Sequence, residues 1–115
     1  MHSATPLPLQ PAVEHTPQAA KTIALGRDTS AAALGALRSE TARRILSGLA
    51  DGPATASELA DRAETSVQNA CHHLQRLQEA GLVTDAGTWY SSKGTEMTVY
   101  AVTTHRLELR LDAGE

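Results

Sequence analysis

The chain has 115 residues, 41% of them hydrophobic and only 3% aromatic, with a net charge of −3. That length fits one domain with a modest core of Ala, Leu, Val and Ile, and leaves little room for an enzyme cleft beside it. A lone cysteine, Cys71, excludes an internal disulfide and a multi-cysteine zinc site and suits an intracellular setting, and no apolar run of roughly 18 residues is present to span a membrane.

Residues 1 to about 20 hold Pro6, Pro8, Pro11 and Pro17 and show no helical or strand period. A disordered tail is expected there, with the folded domain over 28–112. No Lys or Arg precedes Lys21, so a signal peptide is not expected. A short helix follows Asp28 or Thr29 and carries Ala32, Leu34 and Leu37; Gly35 weakens it by about 1 kcal/mol relative to Ala. Ser39 caps the next helix, from Glu40 to Ala50. Its apolar positions Ala42, Ile45, Leu46 and Leu49 form one stripe, and Asp51-Gly52-Pro53 stops it.

Thr55-Ala56-Ser57-Glu58 is a capping box, because the Thr hydroxyl can accept from the Glu58 amide while the Glu reaches back. The helix it opens carries Leu59, Ala60 and Ala63. A second box, Thr65-Ser66-Val67-Gln68, follows ten residues later and opens a helix with Val67, Ala70, Cys71, Leu74 and Leu77 on one side, ended by Gly81. Two capped helices joined by a short turn make a helix-turn-helix, the second being the recognition helix over about 66–80.

A strand runs from Leu82 and Val83 to Tyr90, a turn cluster occupies Ser91 to Thr95, and Glu96 to Thr103 alternates. This predicts a β-hairpin wing over about 88–100. Leu107, Leu109 and Leu111 then alternate with Glu108, Arg110 and Asp112, a last strand expected to pair with the wing sheet or with a partner chain. The fold expected is α+β, a winged helix-turn-helix of three to four helices.

The segment from Leu37 to Val102 resembles the archaeal ArsR-like winged helix-turn-helix regulators. The resemblance rests on Ser39-Glu40-Thr41-Ala42-Arg43-Arg44-Ile45-Leu46, Thr55-Ala56-Ser57-Glu58-Leu59-Ala60, Thr65-Ser66-Val67-Gln68-Asn69, His73-Leu74-Gln75-Arg76-Leu77 and Ala80-Gly81-Leu82-Val83. The wing, Thr88-Trp89-Tyr90-Ser91-Ser92-Lys93-Gly94 with Glu96-Met97 and Val99-Tyr100-Ala101, is most similar to haloarchaeal members. The resemblance implies a cytoplasmic, dimeric transcription regulator on double-stranded operator DNA. Two departures stand out. The helix over Ser57 to Ala63 lacks the paired cysteines of metal-sensing members, and the chain has a strand where such members often have a C-terminal dimerisation helix.

The net charge counts against nucleic-acid binding, but its distribution favours it. No acid lies between Thr65 and Gln78, a stretch that holds His72, His73 and Arg76. Gln68 and Asn69 are the candidates for reading adenine, since a carboxamide can both donate and accept on one base edge. Ser66 can meet phosphate at the helix start. His72 can touch a base or a phosphate, and His73 matches a family position near the DNA backbone. Arg76 and Lys93 are phosphate candidates, and Arg43 and Arg44 either reach the backbone or pair with Glu40.

Cys71, on the apolar stripe, is expected to be a small buried hydrophobe, with a thiol switch as the sharper alternative. Consecutive helix residues diverge by about 100°, so Cys71, His72 and His73 cannot share one metal ion. No nucleophile–base pair and no glycine-rich phosphate loop is visible, so neither catalysis nor a cofactor is expected. Ala32, Leu34, Leu37 and the Leu107–Leu109–Leu111 strand exceed what one small domain buries, which points to a homodimer and a pseudo-palindromic operator. The competing function is a winged-helix module for protein–protein contact.

Overall fold

The computed structural model describes residues 15–112. Side-chain caps set where its central helices begin. Ser39 is extended and accepts from the Ala42 amide, opening α2 (Glu40–Leu49). Thr55 accepts from the Glu58 amide while Glu58 returns a bond to the Thr55 amide, so the expected capping box opens α3 (Ala56–Ala63). Each such cap satisfies amides the helix cannot bond internally, and is worth about 1 kcal/mol. Ahead of them lies the short α1 (Ser30–Leu37), and behind them α4 (Val67–Glu79).

The core gathers where these helices meet. Ile45 and Leu49 of α2, Leu59 of α3, and Leu74 and Leu77 of α4 are fully buried, as are Leu82, just after the last helix, and Val99 in the sheet. Alanines at 42, 60, 63 and 70 fill the gaps between helices. With no Phe in the chain, close helix approach replaces aromatic bulk; each large aliphatic side chain still contributes about 1.5–3 kcal/mol by leaving water. On α1 the inward residues are Ala33 and Ala36, with Leu37 half-buried, while Ala32 and Leu34 turn to solvent.

A three-stranded antiparallel sheet packs beside the helices. Its long hairpin joins β3 (Val83–Tyr90) to β4 (Glu96–Val102), with Val83 opposite Val102 and Tyr90 opposite Glu96. A bulge lies between Asp85 and Gly87, where the Asp85 carboxylate accepts from the Gly87 amide. The third strand is β2 (Ala54–Thr55), which lies on the other side of β4 with Ala54 opposite Tyr100. Thr55 thus serves as sheet edge and helix cap at once, a second role that the cap reading did not include.

The last strand, β5 (Leu107–Arg110), is present, but neither of its expected partners is the one it takes. It pairs in parallel with β1 (Lys21–Ala24), Lys21 opposite Leu107 and Ala24 opposite Arg110. Ile23 of β1 is buried in the core. The folded unit therefore reaches back past the expected boundary at Asp28. Of the expected tail, residues 1–14 lie outside the described residues, while 15–20 run against the end of β4. His15 Nε2 donates to the Val102 carbonyl at 3.0 Å, and Gln18 exchanges backbone bonds with Thr103 and His105. Composition hid this because the register of 15–24 is set by partners at the far end of the chain.

Candidate nucleic-acid interface

The turn between α3 and α4 is tightly specified. Glu64 takes a left-handed conformation (φ 57°, ψ 48°), and the Thr65 amide reaches back to the Ala60 carbonyl at 2.9 Å. These bonds satisfy the last carbonyls of α3 and turn the chain sharply into α4. The cap of α4 is Ser66, one residue later than the Thr65 box suggests. Its hydroxyl accepts from the Asn69 amide at 3.0 Å, and Asn69 Nδ2 donates to the Thr65 hydroxyl at 2.9 Å. Thr65 and Ser66 thus brace the start of α4 together.

At about 100° per residue, Ala70, Leu74 and Leu77 fall within about 60° of arc, and all three are buried. Cys71 is rotated about 90° from the middle of that arc. The reading of Cys71 as a buried hydrophobe is therefore corrected, because the thiol is exposed. Val67 is also outside the core, at 47% exposure. A stripe read by spacing alone was too wide; the neighbouring helices admit only the narrower arc.

On the opposite side, Gln68, His72, Gln75 and Glu79 form one exposed row. The structure brings Gln68 and His72 together there, and adds Gln75, which the i, i+4, i+7 spacing from Gln68 would have revealed. Asn69 and Arg76 flank this row. Asn69 is half-buried and spends one amide hydrogen on Thr65, which leaves a second N–H and the carbonyl oxygen for a partner. Ser66 likewise keeps its hydroxyl hydrogen.

His72 and His73 meet edge to face, with ring centroids 5.3 Å apart. Desolvation by burial lowers the pKa of His73 below 6.5, and the charges of His72 and Arg76 lower it further. Arg76 lies over α1: a Cβ added to Gly35 would sit 3.4 Å from its Nη2.

At the wing tip, Ser91 organises the turn. Its hydroxyl accepts from the amides of Lys93 and Thr95, while its carbonyl accepts from Gly94, which adopts φ 82°. Lys93 is exposed at the apex. Nearer the base of the wing, burial raises the pKa of Tyr100, with Cys71 and Asp85 adding to the rise, so α4 and the hairpin face one another at this point.

Arg43 is placed differently from the other candidates. Its Nη1 donates to the carbonyls of Leu37 and Arg38, at 2.7 and 3.0 Å, and so closes the C-terminus of α1. Arg44 pairs with Glu40 at 2.8 Å, as its spacing suggests, and also approaches Glu64 at 3.7 Å. Among the described residues no group of three or more metal-ligating side chains converges, and no helix is long and apolar enough to cross a membrane.

A trihelical core, a capped helix exposed along one face, and a twisted hairpin beside it define a winged helix-turn-helix domain of the α+β class. Residues 37–86 match the family model of a helix-turn-helix domain. No curated protein sequence matches the chain. Among solved structures, it is similar to fragment 1–100 of a possible transcriptional regulatory protein from Mycobacterium bovis. The identity is 26%, over 66% of this chain and 75% of that one, with a TM-score of 0.55. The solution structure of that fragment is described as a homodimeric winged helix-turn-helix DNA-binding domain of a possible ArsR-family regulator. It aligns at 24% identity over 66% and 65% of the two chains, with a TM-score of 0.53. An ArsR-family transcriptional regulator aligns at 25% identity over 65% and 76%, with a TM-score of 0.53.

Proposed function

We propose that this chain is a sequence-specific double-stranded DNA-binding transcription regulator that acts in the cytoplasm as a homodimer. The observation that carries this reading is the exposed row of α4. It is free of acidic groups from Val67 to Gln78 and begins at a braced helix N-terminus. An α-helix of this kind fits the major groove, where Gln68 and Asn69 offer paired donors and acceptors to adenine and His72 and Gln75 extend the same row. Ser66 and the free amides around it suit a backbone phosphate. Lys93 carries the wing to backbone or minor groove, Arg76 supplies charge at the flank, and His73 supports the row from its half-buried position.

Exposed apolar residues support a dimer. Leu34 on α1, Leu109 on β5 and Leu111 just beyond it are 38%, 59% and 86% exposed. Single exposed leucines are ordinary, but these three lie outside the helix-turn-helix, on the outer side of α1 and at the β5 end of the domain. A twofold dimer calls for a pseudo-palindromic operator with half-site centres about 34–36 Å apart, or a multiple of that. The wing's similarity to haloarchaeal sequences makes a high-salt cytoplasm the expected setting. Binding to the region upstream of its own gene, measured in KCl by gel shift against a shuffled duplex, tests the proposal. Equal affinity for both duplexes would favour a protein-contact module instead, the reading that the net charge of −3 supports.

A further inference from the structure

The β1–β5 sheet has two strands, so β5 turns one edge to β1 and the other to no strand among the described residues. The Lys21 and Leu25 amides donate to the carbonyls of Arg106 and Arg110, at 2.9 and 2.8 Å. Backbone groups alternate sides along a strand, so the N–H and C=O of Leu107 and Leu109 point to the open edge. Such an edge is a template for another strand unless proline or unmatched charge prevents pairing. Residues 106–112 contain no proline, and Arg106 and Arg110 are balanced by Glu108 and Asp112. We infer that the open edge of β5 forms the dimer interface, pairing antiparallel with β5 of a second copy so that Leu109 stands opposite Leu109. This rests on the homodimer of the proposed function and names the surface that makes it.

The edge is complementary to itself in that register. A twofold axis at Leu109 sets Glu108 opposite Arg110 of the second copy, and Arg110 opposite its Glu108. One step further out, Leu107 meets Leu111 and Arg106 meets Asp112. Every leucine thus faces a leucine and every charge its opposite, which are the cross-strand pairs that stabilise antiparallel sheets. Neighbouring registers fail. Centring on Glu108 sets it against itself and Arg106 against Arg110. Centring on Arg110 sets it against itself and Glu108 against Asp112. Centring on Leu107 sets Leu109 against His105, and a slip of one residue carries leucines onto the charged face.

The two faces of β5 are already sorted for this pairing. Leu107 and Leu109 stand opposite Lys21 and Ile23 of β1, so the leucines share a face with the buried Ile23. On the other face Arg106 meets Glu108, and Arg110 meets Asp112, each at 3.1 Å. These exposed pairs need not break. A guanidinium has five donors and a carboxylate two oxygens, so each group can hold its neighbour along the strand and its opposite across it. Leu111 of the second copy comes beside Leu107, which lines a largely apolar groove of 290 Å³ with Leu46, Ala50, Leu82 and Val102. That groove offers cover to Leu111, which is 86% exposed in the single chain.

The test is charge reversal on the full chain, read by sedimentation velocity without DNA at one fixed KCl concentration. Two Glu108–Arg110 pairs form per dimer, so Glu108→Arg alone and Arg110→Glu alone should each weaken self-association at least about tenfold. An equimolar mixture of the two variants should dimerise again, because each then offers the charge that the other lacks. Thermal melts confirm that both variants are folded. In the wild type, amide exchange at Leu109 should slow as concentration rises through the dimer midpoint, since that amide gains its acceptor from the second copy. A dimeric wild type whose association neither reversal weakens, a mixture that stays monomeric, or exchange at Leu109 that ignores concentration overturns the inference. Those results move the interface elsewhere and leave the homodimer and its DNA binding standing. A wild type that is monomeric with and without DNA overturns both the inference and the homodimer.

Discussion

Gln68→Ala isolates the base-reading contribution most cleanly. The side chain is exposed on the outer row of α4 and supports no cap, whereas Asn69 also braces Thr65. Truncation at Gln68 should change folding stability by no more than about 0.5 kcal/mol. On the operator it removes a bidentate contact worth about 1–3 kcal/mol, a loss of roughly 5- to 150-fold in affinity, and on random DNA it removes almost nothing. Lys93→Ala is the matched control. Its ammonium stands at the wing apex and reads no sequence, so both duplexes should weaken alike, and the slope of log K against log salt should fall by about 0.9 per lost phosphate contact. Fluorescence anisotropy over a KCl series measures both quantities on the same samples. Equal losses on operator and random DNA for both variants would refute the division of labour. No loss from either would remove α4 as the reading element.

The remaining predictions concern the turn, the histidine pair and the dimer. Glu64→Gly should stabilise the fold by about 0.5–1 kcal/mol in urea unfolding, since a left-handed residue other than glycine costs about 1–2 kcal/mol and glycine's added chain entropy returns only part of that. His73 has its folded pKa below 6.5, so the unfolded chain binds the proton more readily. Its stability contribution is complete above 6.5 and is lost as pH falls through the folded value; thermal melts on either side of that window should show a decline that His73→Gln reduces. A Leu34→Asp, Leu109→Asp double variant should sediment as a folded monomer at micromolar concentration where the wild type is a dimer, and a monomeric wild type with and without DNA would refute the assembly.

What the sequence discloses and what it hides divide along the range of the interactions. The starts of α2 and α3, and the hairpin from Val83 to Val102, were legible because a cap or a turn is decided within a few residues: Ser39 on Ala42, Thr55 on Glu58, Ser91 on Thr95. β1 and β2 were not. Each is too short for alternation to show, and each exists only because a distant strand offers its edge. On α4, Gln68 and His72 were legible as exposed by their position opposite Leu74. Arg43 was not, since a guanidinium on a helix can turn to solvent, to phosphate or to a neighbouring helix end, and here the carbonyls of Leu37 and Arg38 decide. Cys71 shows the limit of periodicity, which gives the direction of a buried face but not its width.

The parallel pairing of β1 with β5 has a consequence for how the domain opens. Two strands alone make a marginal sheet, and these are brought together from Lys21 and Leu107, almost the whole domain apart. The helix-turn-helix and hairpin keep their own core of Leu59, Leu74, Leu77 and Val99 without that pair. Amide exchange should therefore resolve two layers: a slow one over α2 to β4, and a faster one over Lys21–Ala24 and Leu107–Arg110 that opens first and closes last. The domain then behaves as a rigid reader fastened by a soft buckle, and any agent that tightens the buckle can act on the reader without touching DNA.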